Sequence, residues 1–529
     1  MRRRTFLGST LGAGALAAQT NASRRASSFE LDEVSVSDLA ASMASGRWTS
    51  RRLLQLYVDR IHAMDRNGPR LGAVIELNPD AAMIADQLDR ERKQGRVRGP
   101  LHGIPVLIKD NIDTGDKMST TAGSLALEDW HPLSDSFVAA RLRAAGALIM
   151  GKTNLSEWAN FRSSHSVSGW SGRGGQTRSP YALHRNPSGS SSGSGAAVAA
   201  CLCAAAIGTE TDGSVVSPSS VNGIVGIKPT VGLISRAGII PISHSQDTAG
   251  SMARTVRDAA ILLSALTGVD PNDPATSASQ GNTQPDYTKF LDANGLRGAR
   301  LGIPRKFFAR NAPLDAFLNQ CVDVLKRAGA EVVDPADLPS YGKWDGDEME
   351  VLLYEFKADL NAYLSKLPEG RHPRTLAELI DFNEKNRARE MPYFDQEIFI
   401  QAQAKGPLTD QKYLDARKNC LQYTRTEGID AAMDAHKLDA LVTLTNGPAC
   451  LIDWVAGDSD TGGCSSPPAI AGYPHVTVPA GLFRGLPIGL SFFGKAWSEP
   501  TLLRLAYAYE AATKARTRPR FEAGCEIPA

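Results

Sequence analysis

Apolar residues first recur at helical spacing. Leu53, Leu54, Leu56, Tyr57 and Ile61 fall on one face, and Ala81–Arg92 repeats the pattern, so the stretch from about Val36 to Arg92 reads as helices. The period then changes. Gly103-Ile104-Pro105-Val106-Leu107-Ile108-Lys109-Asp110-Asn111 is a short apolar run bounded by Gly and Asn, the pattern of a buried strand. Ser136–Ala145 predicts a helix and Ala147–Gly151 a second buried strand. Further on, residues 299–304, Leu438–Thr443 and His475–Pro479 read as strands. Residues 313–328, most of 345–440 and Leu502–Arg516 read as helices. The early alternation of helix and buried strand predicts an α/β core. No internal repeat is visible.

Residues 163–195 break this pattern. They are dense in Ser and Gly, and composition alone describes a flexible linker. The stretch nevertheless runs straight into a helix-like Ala196–Ala206, then into Gly208-Thr209-Glu210-Thr211-Asp212-Gly213-Ser214. A Gly/Ser loop entering a helix inside apolar core sequence is more often a site than a spacer. Gly permits close backbone approach and hydroxyls supply short polar groups.

Composition adds little to that picture. The chain has 529 residues, 42% hydrophobic and 22% charged, with a formal net charge of +1. That balance is globular and exerts no electrostatic pull on nucleic acid or acidic membranes. The N-terminus does add something. Met1-Arg2-Arg3-Arg4-Thr5-Phe6-Leu7-Gly8 holds an Arg-Arg-x-Phe-Leu core before a short stretch of Leu, Gly and Ala from Leu11 to Ala18. This is the pattern of a twin-arginine signal peptide rather than an anchor, with cleavage after Ala17 or Ala22. Residues 1–28 are thus expected to be signal and linker, and the protein to be exported to the periplasm or beyond. The seven cysteines are odd in number and irregularly spaced, so buried free thiols are the default. Cys450 and Cys464 could pair across a loop outside the cytoplasm. Cys201 and Cys203, two apart on a helix, could not share a metal.

Several short patterns compete as sites. Gly189-Ser190-Ser191-Ser192-Gly193 fits G-x-S-x-G, but that elbow needs a strand before it, and Leu183–Pro187 is poor strand material. Ser340-Tyr341-Gly342-Lys343 fits S-x-x-K without its companion motifs. No H-E-x-x-H occurs, and the nine histidines form no metal-ligand pattern in sequence. His102 and His475 read as hydrogen-bonded structural groups. Lys109 at the end of its strand is, taken alone, equally a snorkelling lysine.

Three segments taken together carry more. Ser188-Gly189-Ser190-Ser191-Ser192-Gly193-Ser194, Gly208–Ser214 and Lys109-Asp110-Asn111 resemble the Gly/Ser motif, the nucleophile segment and the lysine motif of the amidase signature family. Ser190 and Ser214 lie 24 residues apart, as that family's two serines do. Gly226–Thr230, Asp247–Ala253, Ala471–Pro474 and Gly485–Leu490 continue the likeness, which spans roughly Val36 to Arg516. Leu155–Arg162 and Leu353–Lys357 look like its bacterial peptide amidase branch. Departures are Ser188 and Ser192 in place of glycines, Ser179 in place of Asn, and Val216 where many members carry arginine.

The resemblance implies one large α/β domain over residues 29–529, a mixed sheet wrapped by helices. It implies an amide hydrolase that needs neither metal nor organic cofactor, acts on a small or peptide amide, and has no nucleic-acid partner. Ser214 would be the nucleophile, Ser190 (on a cis peptide bond) the proton relay, and Lys109 the base. Thr211, Asp212 and Gly213 would form the oxyanion hole, and Ser191 would brace the loop. A lysine with an ordinary pKa near 10.4 is charged at neutral pH, so the role requires burial. Asp110 would oppose that shift unless it faced the other way, as alternation along a strand predicts. Two other readings remain: the A subunit of a glutamyl-tRNA amidotransferase, and a non-catalytic binding protein on the same fold.

Overall fold

The computed structural model describes residues 29–459 and 462–524. The predicted signal segment and Cys525 lie outside the described residues. Eleven strands build one sheet. They are β1 (Val74–Leu77), β2 (Pro105–Lys109), β3 (Leu148–Thr153), β6 (Ala205–Glu210), β7 (Val225–Lys228), β8 (Thr248–Ala253), β9 (Arg300–Gly302), β10 (Glu331–Val333), β11 (Ala440–Leu444), β12 (His475–Phe483) and β13 (Leu486–Phe493). A separate hairpin joins β4 (Trp170–Ser171) to β5 (Gly175–Gln176). The sheet order is β1-β3-β2-β6-β8-β7-β12-β13-β11-β9-β10.

The sheet is mixed. β3, β2 and β6 run parallel, and the strands from β6 through β8, β7, β12 and β13 to β11 alternate in direction. Every residue of β2, β3, β6 and β8 is buried, because helices cover both faces. That double burial is why these strands read as continuous apolar runs instead of alternating ones. Parallel β2 and β6 pair Ile108 with Ile207, so the carboxyl ends of both central strands open on the same side of the sheet. Ligands in open α/β sheets bind beyond such carboxyl ends.

The structure corrects two sequence expectations and decides two points that the sequence leaves open. First, the helical reading of Val36–Arg92 missed β1, which adds antiparallel to β3 at the sheet edge. Second, the Ala-rich run Ala196–Ala206 is not one helix. The helix covers Ser192–Ala199, Cys201 turns the chain at φ 54°, and β6 begins at Ala205. Alanine tolerates both states and carries no period, so only pairing with β2 and β8 decided the outcome. Cys201 and Cys203 therefore sit at that turn, not on a helix. Of the two readings open for the stretch 163–195, the structure bears out a built loop over a flexible linker. Ser168, Ser171, Ser179, Ser190, Ser191, Ser192 and Ser194 are buried, most of them in named hydrogen bonds. Cys450 and Cys464 follow the default for the cysteines and are free thiols in different surroundings: Cys450 accepts from Asn186 and Cys464 lies against His475.

Helices from Asp345–Leu364 onward form a second apolar cluster with Trp158, Phe161, Phe356 and Phe399. Arg162 fastens this layer to the site loops. It is fully buried, pairs with Glu157 at 2.5 Å, and stacks over Phe394 at 4.4 Å. Among the described residues no helix is long and apolar enough to cross a membrane.

Candidate active site

Lys109 ends β2 and is fully buried. Its Nζ lies 2.8 Å from Ser190 Oγ, 2.9 Å from Thr209 Oγ1 and 3.2 Å from the Thr209 carbonyl. Asn111 Nδ2 donates to the same Thr209 Oγ1 at 3.0 Å. A neutral amine has two hydrogens and one lone pair. With its hydrogens on the two Thr209 oxygens, the lone pair is left for the Ser190 hydroxyl, the alignment a base requires. Burial pulls the Lys109 pKa down to about 7, against the opposing pull of the Asp247 and Glu210 carboxylates. Asp110 does face away: it accepts from Thr121 and lies 3.6 Å from Arg173.

The same burial makes stability depend on pH. A lysine pKa lowered from 10.5 to about 7 means that, between those values, the unfolded chain binds more protons, so stability rises with pH across the window. Relative to Lys109→Met, the wild type is expected to gain about 1.4 kcal/mol per pH unit there. Urea unfolding of both proteins near pH 7.5 and 9.5 should shift their difference by about 2–3 kcal/mol in the wild type's favour. A constant difference contradicts a neutral buried lysine.

Ser190 is delivered by the Gly/Ser loop, with a cis bond between Gly189 and Ser190. Only glycine fits at 189, since a Cβ there would lie 2.2 Å from Ser156 Oγ. The family's two missing glycines are accommodated locally: Ser188 takes φ 59°, and Ser192 Oγ donates to the Ser188 carbonyl at 2.7 Å. Ser191 is committed elsewhere. Its hydroxyl donates to Thr209 O at 3.0 Å and accepts Thr209 N–H at 3.1 Å. With no strand before it, Ser191 is a brace and the elbow reading fails. Ser340 donates to the Tyr423 carbonyl, and Lys343 is exposed opposite Glu427, so S-x-x-K is no site.

Ser214 lies in the turn that follows β6, four residues beyond Glu210. Ser191 N–H donates to the Ser214 carbonyl at 3.1 Å, tying the turn that carries Ser214 to the residue after Ser190. The Ser214 hydroxyl makes no hydrogen bond among the described residues, and the residue keeps 8% exposure. The backbone N–H groups of Asp212, Gly213 and Ser214 also donate to nothing among the described residues. Gly213 holds φ 75°, the left-handed turn that presents successive N–H groups to one point. Glu210 anchors the start of the next helix: its Oε2 accepts Val215 N–H at 2.8 Å and Val216 N–H at 3.0 Å.

The side chains of the turn point away from its N–H groups. Thr211 Oγ1 donates to Asp247 at 2.6 Å, and Asp247 also accepts the N–H groups of Ile242 and Ser243. Asp212 accepts from Ser466 Oγ at 2.6 Å and faces Glu348. Burial and the Asp212 carboxylate push Glu348 well above the usual carboxyl range. Any contribution of Thr211 and Asp212 to an oxyanion hole therefore comes from backbone, not side chain. A cleft of about 330 Å³ lined by Ser188, Ser217, Ser465 and Ser466 abuts this turn. Gly213 packs against two of its lining residues, since a Cβ there would lie 3.0 Å from Ser217 Oγ and Ser465 Oγ.

Sequence reading missed Thr209, Glu210 and Asp247. Thr209 and Glu210 sit inside the quoted nucleophile segment, but only the β2–β6 register shows that Thr209 reaches the lysine. The two histidines behave as expected. His102 is buried against the Leu88 carbonyl, and His475 is kept neutral by burial, with its pKa pushed down to about 3. His244 was not expected to cluster. It lies 2.9 Å from Asp359 and 3.3 Å from Glu355, and its pKa is raised by the Asp359 bond, the mark of an ion-paired imidazolium.

The family model described as Amidase matches residues 52–503. A probable amidase of Arabidopsis thaliana is 43% identical over 507 residues, covering 94% of this chain and 93% of that one. The A subunit of a Roseiflexus glutamyl-tRNA(Gln) amidotransferase is 33% identical over 502 residues, covering 92% and 98%. The solved native peptide amidase of Stenotrophomonas maltophilia superposes with a TM-score of 0.89 at 53% identity, covering 93% of this chain and 99% of that chain. With its fold and motifs accounted for by these relationships, the chain belongs to the amidase family and is a hydrolase of amide C–N bonds.

Proposed function

We propose that this amidase releases ammonia from the C-terminal carboxamide of peptides, with Ser214 as nucleophile, Ser190 as relay and Lys109 as base. The observation that carries the reading is the buried Lys109 amine at 2.8 Å from Ser190. Ser190 passes its proton to Lys109 and takes the proton of Ser214, whose oxygen attacks the amide carbonyl. The oxyanion is met by the free N–H groups of the turn at Asp212–Ser214. As the tetrahedral adduct collapses, the proton returns through Ser190 to the amide nitrogen, which leaves as ammonia. Water then enters, gives a proton to the same relay, and releases Ser214 and a carboxylic acid. The 53% identity to a peptide amidase supports a peptide as the acyl group.

Ammonia release from peptide, aliphatic and aryl amides by the purified chain tests this reading. Peptide amides are expected to give the highest kcat/KM. Turnover only with added subunits and charged tRNA would instead make it an amidotransferase subunit. Turnover of none, with no labelling of Ser214, would make it a binding protein. We also infer export by the twin-arginine route, supported by Arg3, Arg4 and the short apolar stretch that follows. Changing Arg3→Lys and Arg4→Lys together should move the protein from the exported to the cytoplasmic fraction. An unchanged distribution overturns that inference.

A further inference from the structure

A primary carboxamide loses only ammonia, so a peptide amide has all of its remaining bulk on the acyl side of the scissile bond. That bulk needs a path away from Ser214. The cleft beside the turn shares Gly462, Gly463 and Ser466 with a larger cavity of about 830 Å³. Ser466 is itself hydrogen-bonded to Asp212, two residues before the nucleophile. Pockets of about 300–1,000 Å³ hold ligands of drug size, so the first cleft suits the residue that carries the amide and the second suits further residues.

The larger cavity has its own chemistry. Tyr341, 38% exposed, meets Phe307 edge-on at 5.2 Å and Trp344 at 5.9 Å. Aromatic surface of this kind accepts another ring in edge-to-face or offset contact. Lys306 and Arg310 are exposed on the lining and form no ion pair among the described residues, while Asp345 supplies an opposing charge. Among the described lining residues the formal balance is one positive charge.

Resting on the peptide-amide reading, we propose that this cavity binds the peptide arm of the substrate. Tyr341 receives an aromatic side chain two residues upstream of the amide-bearing residue, and Lys306 with Arg310 favours acidic over basic arms. The test uses N-acetyl-alaninamide and N-acetylated tripeptide amides that differ only in the residue furthest from the amide: alanine, phenylalanine, aspartate or lysine. For the wild type, the phenylalanine peptide is expected to exceed N-acetyl-alaninamide in kcat/KM at least tenfold, and aspartate to exceed lysine at least fivefold at low salt. Tyr341→Ala should erase most of the phenylalanine advantage. The Lys306→Glu, Arg310→Glu double variant should reverse the acid preference. Both variants should leave N-acetyl-alaninamide within twofold. Equal turnover of short and long amides, or variants that slow every substrate alike, overturns the inference and leaves the peptide-amide reading standing. Hydrolysis of none of these amides by the wild type overturns both.

Discussion

Ser214→Ala is expected to lower kcat by about 10⁴–10⁶-fold while leaving KM within about threefold. Covalent catalysis divides amide hydrolysis into two easier steps, and both need an oxygen at position 214. The clefts and the free N–H groups of Asp212–Ser214 do not depend on that oxygen, so substrate binding should survive. Activity that remains comes from the oxyanion site and orientation alone. Steady-state kinetics on a peptide amide decides it. The small size of the change makes misfolding a poor explanation of loss, because the Ser214 hydroxyl makes no hydrogen bond among the described residues. Turnover within tenfold of wild type would remove Ser214 from the mechanism.

The second large effect is expected at Lys109, where arginine should be as damaging as methionine. Each is expected to lower kcat/KM by about 10³–10⁴-fold, the scale of a lost general base. Methionine keeps an unbranched apolar side chain one atom shorter and has no basic nitrogen. Arginine keeps the charge but cannot give up its proton at any accessible pH. If Lys109 acted as a cation, holding a carboxylate or the oxyanion, arginine would preserve much of the activity and methionine none. The geometry favours the base: its three partners are a hydroxyl and two Thr209 oxygens, with no carboxylate in contact. Ser190→Ala should cost less than either, about 10²-fold, since a water can occupy part of the relay.

The sequence shows some of this plainly and hides the rest for identifiable reasons. β2 and β3 are legible because both of their faces are buried and their composition is uniform. β6 is not, since alanine and glycine carry no period and the same run begins as a helix. β1 is hidden because a four-residue edge strand lies between longer helices. The positions of Lys109, Ser190 and Ser214 follow from motif likeness, while the reason they function as a unit does not. Thr209 reaches the lysine only through the parallel register of β2 and β6. Asp247 and Glu348 reach the nucleophile turn from 33 and 134 residues downstream of Ser214. Composition misdescribes the Ser/Gly stretch because it counts hydroxyls without asking what they bond. Ser156, Ser190, Ser191, Ser192 and Ser194 all find partners within the loop or on the adjacent strands. Whether Cys450 and Cys464 pair is a question spacing and compartment leave open, and the structure answers it with two free thiols.

What all of this requires is a neutral amine deep in the protein that can collect the nucleophile's proton. Rates of labelling by a fluorophosphonate, followed across pH with the adduct mapped by peptide mass, probe that requirement without depending on the natural substrate. A single adduct at Ser214 is predicted, forming faster as pH rises through one ionisation near 7 and at least 10³-fold more slowly in Lys109→Met. An adduct on Ser191, or labelling of Ser214 that ignores both pH and the loss of Lys109, would contradict it.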